Sequence, residues 1–232
     1  MPVAIITGAS RGLGRALSEA LAARGWDLVL DARNAETLHK TAAGVAAHGT
    51  RVTALPGDVT DAGHRAGLVA AARELGGLDL LVNNAGVLGA EPLVPLGDHS
   101  LGGFRAALET NVVAPLGLLQ EALPELRAAP SGAVVNVSSD AGAEAYRTWG
   151  AYGATKAALD QLSAVLAVEE PGLRVWWVDP GGMRTAMLAA AEPDEDLSGT
   201  PTPADIAPAF VNLLDRRPAS GRYTAAALLE AR

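Results

Sequence analysis

Cysteine is absent from this 232-residue chain, which excludes disulfides, thiolate nucleophiles and cysteine-based zinc sites. No metal is expected. Lysine and arginine are scattered without a basic block and the net charge is −8, so nucleic acid is not an expected partner. No apolar run reaches the ~20 residues of a bilayer-spanning helix, and no membrane partner is expected. The opening "MPVAIITGAS" has neither the charged n-region nor the long h-region of a signal peptide. The expectation is a soluble cytoplasmic protein. The chain also has no internal repeat and no linker. Its four histidines are His39, His48, His64 and His99, none of them in the last half.

What is present is apolar: 49% of the residues, enough for a sizeable core in one domain spanning 1–232. Short runs, mostly apolar throughout, recur at 3–6, 27–31, 51–55, 78–83, 133–137, 173–178 and, weakly, 222–225. That pattern predicts strands covered on both faces. Ala/Leu-rich helical stretches lie between them at 12–24, 35–48, 61–75, 101–127, 151–169 and 203–217. Asp61 and Asp205 mark helix starts, and Pro171 closes the helix before it. The alternation predicts an α/β fold: a doubly wound Rossmann domain with a mostly parallel seven-stranded sheet and helices on both faces. The acidic, Pro- and Gly-rich "EPDEDLSGTPTP" (192–203) reads as a loop, either a solvated excursion or part of a short lid over about 186–203.

The first strand runs into "TGASRGLG" (7–14). Gly8, Gly12 and Gly14 let the backbone turn tightly and approach a ligand, and the helix that follows offers free N–H groups to a phosphate. The same stretch matches G-x-S-x-G, the nucleophile elbow of serine hydrolases, with Ser10 as nucleophile. That reading needs a later acid and histidine, which the histidine positions deny; Ser10 is better placed as a lining of the phosphate loop. Past the second strand, an acid would accept from the 2′-hydroxyl of NAD and an arginine would neutralise the 2′-phosphate of NADP. Asp31 and Arg33 are both in range. Arg11 adds a second cation, which tilts the expectation toward NADP. Asp58 either accepts from the adenine amino group or is a turn aspartate.

These motifs, in this order, resemble the short-chain dehydrogenase/reductase family over nearly the whole chain: "TGASRGLG", "GDV" (57–59), "NNAG" (83–86), Asn111, "VNVSS" (135–139), Tyr152-x-x-x-Lys156 and "PGGMRT" (180–185). The resemblance implies Tyr152 as acid/base, Lys156 as its partner, Ser139 as the binder of the substrate oxygen and Asn111 as the holder of a relay water. It implies a cofactor site made of Gly8, Ser10, Arg11, Gly12, Leu13, Gly14, Arg33, Asp58, Val59, Asn84, Ala85, Gly86, Tyr152, Lys156, Pro180, Gly181, Met183 and Thr185, the last bonding the nicotinamide carboxamide. The acid of NAD-using members aligns with Ala32 and the arginine of NADP-using members with Arg33. NADP(H) is thus preferred and NAD(H) possible. Many members end in a Val-Asp-Gly-Gly-like segment that this chain lacks. A homodimer or homotetramer is implied, paired through helices 101–127 and 151–169, with the dimer favoured.

Tyr152 and Lys156 share a helix face, with Cβ atoms roughly 5–6 Å apart. A free phenol, with a pKa of about 10, is a poor base near neutrality. A neighbouring ammonium favours the phenolate and is expected to bring the pKa toward the working pH. The expected activity is hydride transfer between the nicotinamide and a carbonyl or secondary alcohol. Candidate substrate liners are Val87, Leu88, Ala141, Tyr146, Trp149, Met183, Met187 and Leu188, which suggest a small or medium hydrophobic molecule. A nucleotide-sensing regulator of the same fold is the alternative; such a protein would have lost part of the Ser-Tyr-Lys set.

Overall fold

All four residues of β1 (Val3–Ile6) are buried. Alternation divides them: Ala4 and Ile6 enter one hydrophobic cluster, Val3 and Ile5 another. A strand apolar throughout needs cover on both faces. In the computed structural model, which describes residues 1–230, that cover is complete. β2 (Asp27–Ala32), β3 (Val52–Pro56), β4 (Leu80–Asn83), β5 (Ala133–Val137), β6 (Arg174–Asp179) and β7 (Gly221–Thr224) join β1 in one sheet of order β3-β2-β1-β4-β5-β6-β7. Every pairing is parallel, so the sheet is more uniform than the mostly parallel one expected. Even β7, the weakest run in the sequence, aligns beside β6 from Trp176–Gly221 to Asp179–Thr224.

One face is covered by α1 (Gly12–Ala22), α2 (Ala35–Ala46), α8 (Pro203–Arg216) and α9 (Ala225–Glu230), which bury Leu17, Leu38, Phe210 and Leu228 on the sheet. The other face carries α3 (Ala62–Glu74), α5 (Ala114–Ala128) and α6 (Gly150–Glu169), through Leu68, Leu118 and Leu166. Local chemistry starts these helices. Asn34 caps α2 by accepting from Thr37 N, and Asp61 caps α3 by accepting from His64 N. Asp205 is not itself a cap. It is the third helical residue of a reciprocal capping box with Thr202, and Pro203 opens α8.

One expectation is corrected. The single helix over 101–127 is instead α4 (Leu101–Leu108), a π-helical turn (Glu109–Val113) and then α5. Ala114 N bonds the carbonyl of Glu109, five residues back. Pro115 has no N–H to return to the carbonyl of Asn111, so the regular four-residue ladder cannot pass this point. The segment read as a lid contains α7 (Ala186–Ala191), capped by Thr185, followed by a 3₁₀ turn at Leu197–Gly199.

Candidate active site

The carboxyl ends of the strands open on a cavity of about 1080 Å³, the place where open parallel sheets hold their ligands. Its floor is the loop between β1 and α1. Gly8 and Gly12 have φ of +65° and +55°, a region that favours glycine. Gly14 is needed for another reason: a Cβ there would lie 2.4 Å from Gly8 O and 2.6 Å from Asn84 Nδ2. The start of α1 therefore rests directly on the loop. The "NNAG" turn clamps it from the other side, since Thr7 Oγ1 accepts from Asn84 N and Ala85 N, both at 3.0 Å, and Asn84 Nδ2 donates to Thr7 O at 2.8 Å. No side chain caps the N-terminus of α1, where Arg11 stands exposed. A helix end with open N–H groups, a floor without side chains and a nearby guanidinium suit the phosphates of a dinucleotide.

The nucleotide end is walled by Asp31, Arg33, Asn34, Asp58 and Val59. Asp58 behaves as a turn aspartate: its Oδ1 accepts from Thr60 N at 2.9 Å and Thr60 Oγ1 at 2.8 Å. These bonds, with Arg33 nearby, hold its carboxyl below the ordinary value. Asp31 is only 2% exposed, and His64 Nε2 sits 2.6 Å from its Oδ1. Burial pushes the Asp31 carboxyl up, while His64 and Gly8 N–H act against the rise.

At the opposite end, Ser139, Tyr152 and Lys156 line the same cavity. β5 delivers the serine and α6 the other two. The Ser139 hydroxyl donates to Asp140 Oδ1 at 3.0 Å and accepts from Ala141 N at 3.2 Å. Its neighbour Ser138 turns away and bonds Asp160. Lys156 Nζ donates to Val137 O at 2.7 Å and lies 5.5 Å from the centroid of the Tyr152 ring. Trp149 meets that ring edge-on at 5.6 Å.

The electrostatics differ from the expectation for the tyrosine. In the protein alone the phenol pKa is raised, first by burial and then by the charges of Asp140 and Asp179; a hydrogen bond with Ser139 works in the opposite direction. Lys156 is itself buried, which pushes its ammonium down to about 8 against the attraction of Asp160. Desolvation of both partners outweighs the help that a cation gives a phenolate.

The remaining expected cofactor residues fall on the cavity wall: Gly8, Ser10, Gly12, Leu13, Ala85, Gly86, Pro180, Gly181, Met183 and Thr185. Gly14 lies beneath it. Asn111 lies behind it, fully buried in the π turn. Its Oδ1 accepts from Val87 N and its Nδ2 donates to Val87 O and Thr155 Oγ1, all at 2.9 Å. Its carboxamide thus braces the strand-end loop against α6. Ser10 makes no hydrogen bond to a histidine among the described residues, and His64 is held by Asp31, so the hydrolase reading has no base. Of the substrate liners, Val87, Ala141, Tyr146, Trp149, Met183, Met187 and Leu188 face the cavity. Leu88 does not; it is buried in a small cluster with Ala141 and Tyr152. Among the described residues no acidic or histidine cluster suits a metal, and no helix is long and apolar enough to cross a membrane.

Sequence reasoning missed three residues. His64 was read only as a histidine of the first half. Asp160 and Arg222 support the wall of Ser139, Tyr152 and Lys156 from behind: Arg222 donates to Asp160 Oδ2 at 3.1 Å and to Ser139 O at 3.0 Å. Asp160, one helical turn beyond Lys156, was a findable signal. Arg222 reaches Ser139 across 83 positions, and no local pattern announces it.

The family model described as short chain dehydrogenase matches residues 2–196. An uncharacterized oxidoreductase of Escherichia coli (strain K12), YciK, is 33% identical over 222 residues, covering 91% of this chain and 85% of that protein. The crystal structure of YciK superposes with a TM-score of 0.91 at 32% identity, over 97% of this chain and 94% of that one. An alcohol dehydrogenase from the archaeon Thermococcus sibiricus, solved in complex with 5-hydroxy-NADP, gives 0.87 at 28% identity, over 97% and 95%.

Proposed function

The chain belongs to the short-chain dehydrogenase family of oxidoreductases, and from that premise we propose that it uses NADP(H) to interconvert a carbonyl and a secondary alcohol, with Tyr152 as the acid/base. The observation that carries this reading is one cavity with the uncapped end of α1 at one side and Ser139, Tyr152 and Lys156 at the other. Arg11 and Arg33 at the nucleotide end, together with an NADP-type ligand in the Thermococcus protein, support the choice of NADP(H).

The residues that would hold the cofactor are the glycine loop, the first turn of α1, Arg33, the "NNAG" turn, Lys156 and Thr185. When bound, it supplies the hydride to the carbonyl carbon. The protein supplies position and a proton. Ser139 turns its O–H from Asp140 to the substrate oxygen and holds that oxygen near the phenol. Tyr152, protonated at neutral pH as any phenol is and held more firmly so by burial, is already in the form that gives a proton to an alkoxide. As the proton leaves, negative charge forms beside Lys156, and the cation that the buried site strains to keep becomes favourable. Asn111 keeps Val87 and α6 in register. The apolar liners, with Trp149 against the tyrosine, exclude water and suit a small or medium hydrophobic substrate.

The test is NADPH oxidation with a panel of ketones and diketones, comparing wild type with Tyr152→Phe. The expected loss in kcat is roughly 100-fold or more, with NADPH affinity retained. Activity unmoved by the substitution would overturn the assigned acid.

The second copy that the family resemblance implies is proposed to dock on α5 and α6. Leu116 and Val165 line one groove there, with Val168 beside them 80% exposed. Light scattering should give a dimer mass for the wild type and a monomer mass for Val165→Glu/Val168→Glu; equal masses would refute the interface.

A further inference from the structure

A carboxylate at the end of the second strand of a dinucleotide fold can act on the cofactor in two ways. It can accept a hydrogen bond from the 2′-hydroxyl of NAD(H), or repel the 2′-phosphate of NADP(H). The first needs a free lone pair and the second uncompensated charge. Asp31 stands one residue before the place of such a carboxylate, at the end of β2. It lines the cavity within two residues of Arg33, and its Oδ2 faces Gly8 N at 3.4 Å. Its other oxygen is taken, since His64 Nε2 approaches Oδ1 at 2.6 Å.

Three separate elements are built to make that contact. β2 buries Asp31 to 2% exposure. The first turn of α3 fixes His64, whose backbone N–H bonds the capping Asp61 at 2.7 Å. The loop between β3 and α3 leaves room for the ring by having no side chain at Gly57, where a Cβ would lie 2.2 Å from His64 Nδ1. The other charges near the pair are Asp58, whose charge opposes ionisation of Asp31, and Arg33, which pairs electrostatically with Asp58. Arg65, the next residue of α3, is turned to the carbonyls of Val59 and Thr60. Among the described residues, only His64 is bonded to the Asp31 carboxylate through a side chain.

We infer that His64 is a cofactor-specificity residue: by engaging Asp31 it withdraws from the nucleotide crevice the one carboxylate that would read the 2′-hydroxyl and repel the 2′-phosphate. Arg33 and Arg11 are then left to act on the phosphate. His64 is a positioning residue, working through Asp31, and the inference rests on the NADP(H) reading above.

The experiment is a fluorescence titration of NADPH and NADH against wild type, His64→Ala, Asp31→Asn and the double variant, each checked for a cooperative melt. Wild type should favour NADPH. His64→Ala frees the carboxylate, so the preference should fall about tenfold or more, mostly through weaker NADPH binding. Asp31→Asn should keep the wild-type preference, and the double variant should recover it to within about threefold. A His64→Ala protein that binds both cofactors equally less well has lost structure rather than selectivity, and overturns the inference. So does a double variant that fails to recover. If His64→Ala does not fold, Asp31→Asn decides: a loss of NADH binding would mean that Asp31 already reads the 2′-hydroxyl beside an intact His64. Wild type favouring NADH refutes the NADP(H) reading and this inference with it. Wild type favouring NADPH by a ratio that His64→Ala leaves unmoved refutes this inference alone.

Discussion

Replacing Lys156 with methionine should remove activity and make the cofactor-free protein more stable. The side chain is 4% exposed, and burial lowers its pKa from 10.5 to about 8. That difference of 2.5 units, at 1.36 kcal/mol per unit, means that holding the ammonium in the folded protein at pH 7 costs about 3 kcal/mol. Methionine matches the stem in volume and carries no charge. Against this, Val137 O loses its donor, a cost of about 1–2 kcal/mol. The net expectation is a variant more stable by about 1–2 kcal/mol at pH 7. The sign reverses with pH. Between the folded pKa of about 8 and the unfolded value of 10.5, the unfolded chain binds more protons, so wild-type stability rises with pH through that window. Urea denaturation of both proteins at pH 7 and pH 10 measures the difference. Methionine should be ahead at pH 7, and the lead should vanish or invert by pH 10. A difference that ignores pH would show that burial does not burden the ammonium. The reasoning about Lys156, and with it the role given to its relief when charge forms on Tyr152, would then fail.

Two glycines should respond to alanine in opposite directions. Gly44 lies in α2 with open space around it, and Gly44→Ala should stabilise by about 0.5–1 kcal/mol through helix propensity alone. Gly14→Ala gains the same propensity but drives a methyl into backbone 2.4 Å away; it should lower stability by about 1–3 kcal/mol and abolish NADPH binding in a titration. Arg33→Ala should raise the Kd for NADPH about tenfold or more, the worth of a charge-assisted hydrogen bond, and leave that for NADH nearly unchanged. Equal losses for both cofactors would remove Arg33 from the role given to it.

The sequence made the parallel sheet legible because a strand buried on both faces has no room for polar alternation, and β1, β2, β4 and β5 are buried without a gap. The glycine loop and the Tyr152–Lys156 pair were legible because their spacing is local: a tight turn and one helical turn. The rest depends on distance along the chain. His64 meets Asp31 across 33 positions and Arg222 meets Ser139 across 83, and neither residue type announces its partner. The phenol's raised pKa escaped notice for a related reason. The i,i+4 pairing is visible in the letters, but the burial that desolvates both groups is a property of the folded site. The π turn was hidden because Glu109, Thr110, Asn111, Val112 and Val113 carry no local signal of a five-residue repeat; only Pro115, four places after Asn111, marked the broken ladder.

That extra residue in the turn has a consequence for how this chain can change length. A π turn absorbs one extra residue while the helices on either side keep the register of a continuous helix, so deleting one residue from 109–113 would convert it to an ordinary helical turn and leave α5 facing the sheet. Leu118, Ala122 and Leu126 would stay in the core; what would go is the placement of Asn111, which grips Val87 from inside the turn. A single-codon deletion here would therefore remove the brace and spare the layer of core beside it.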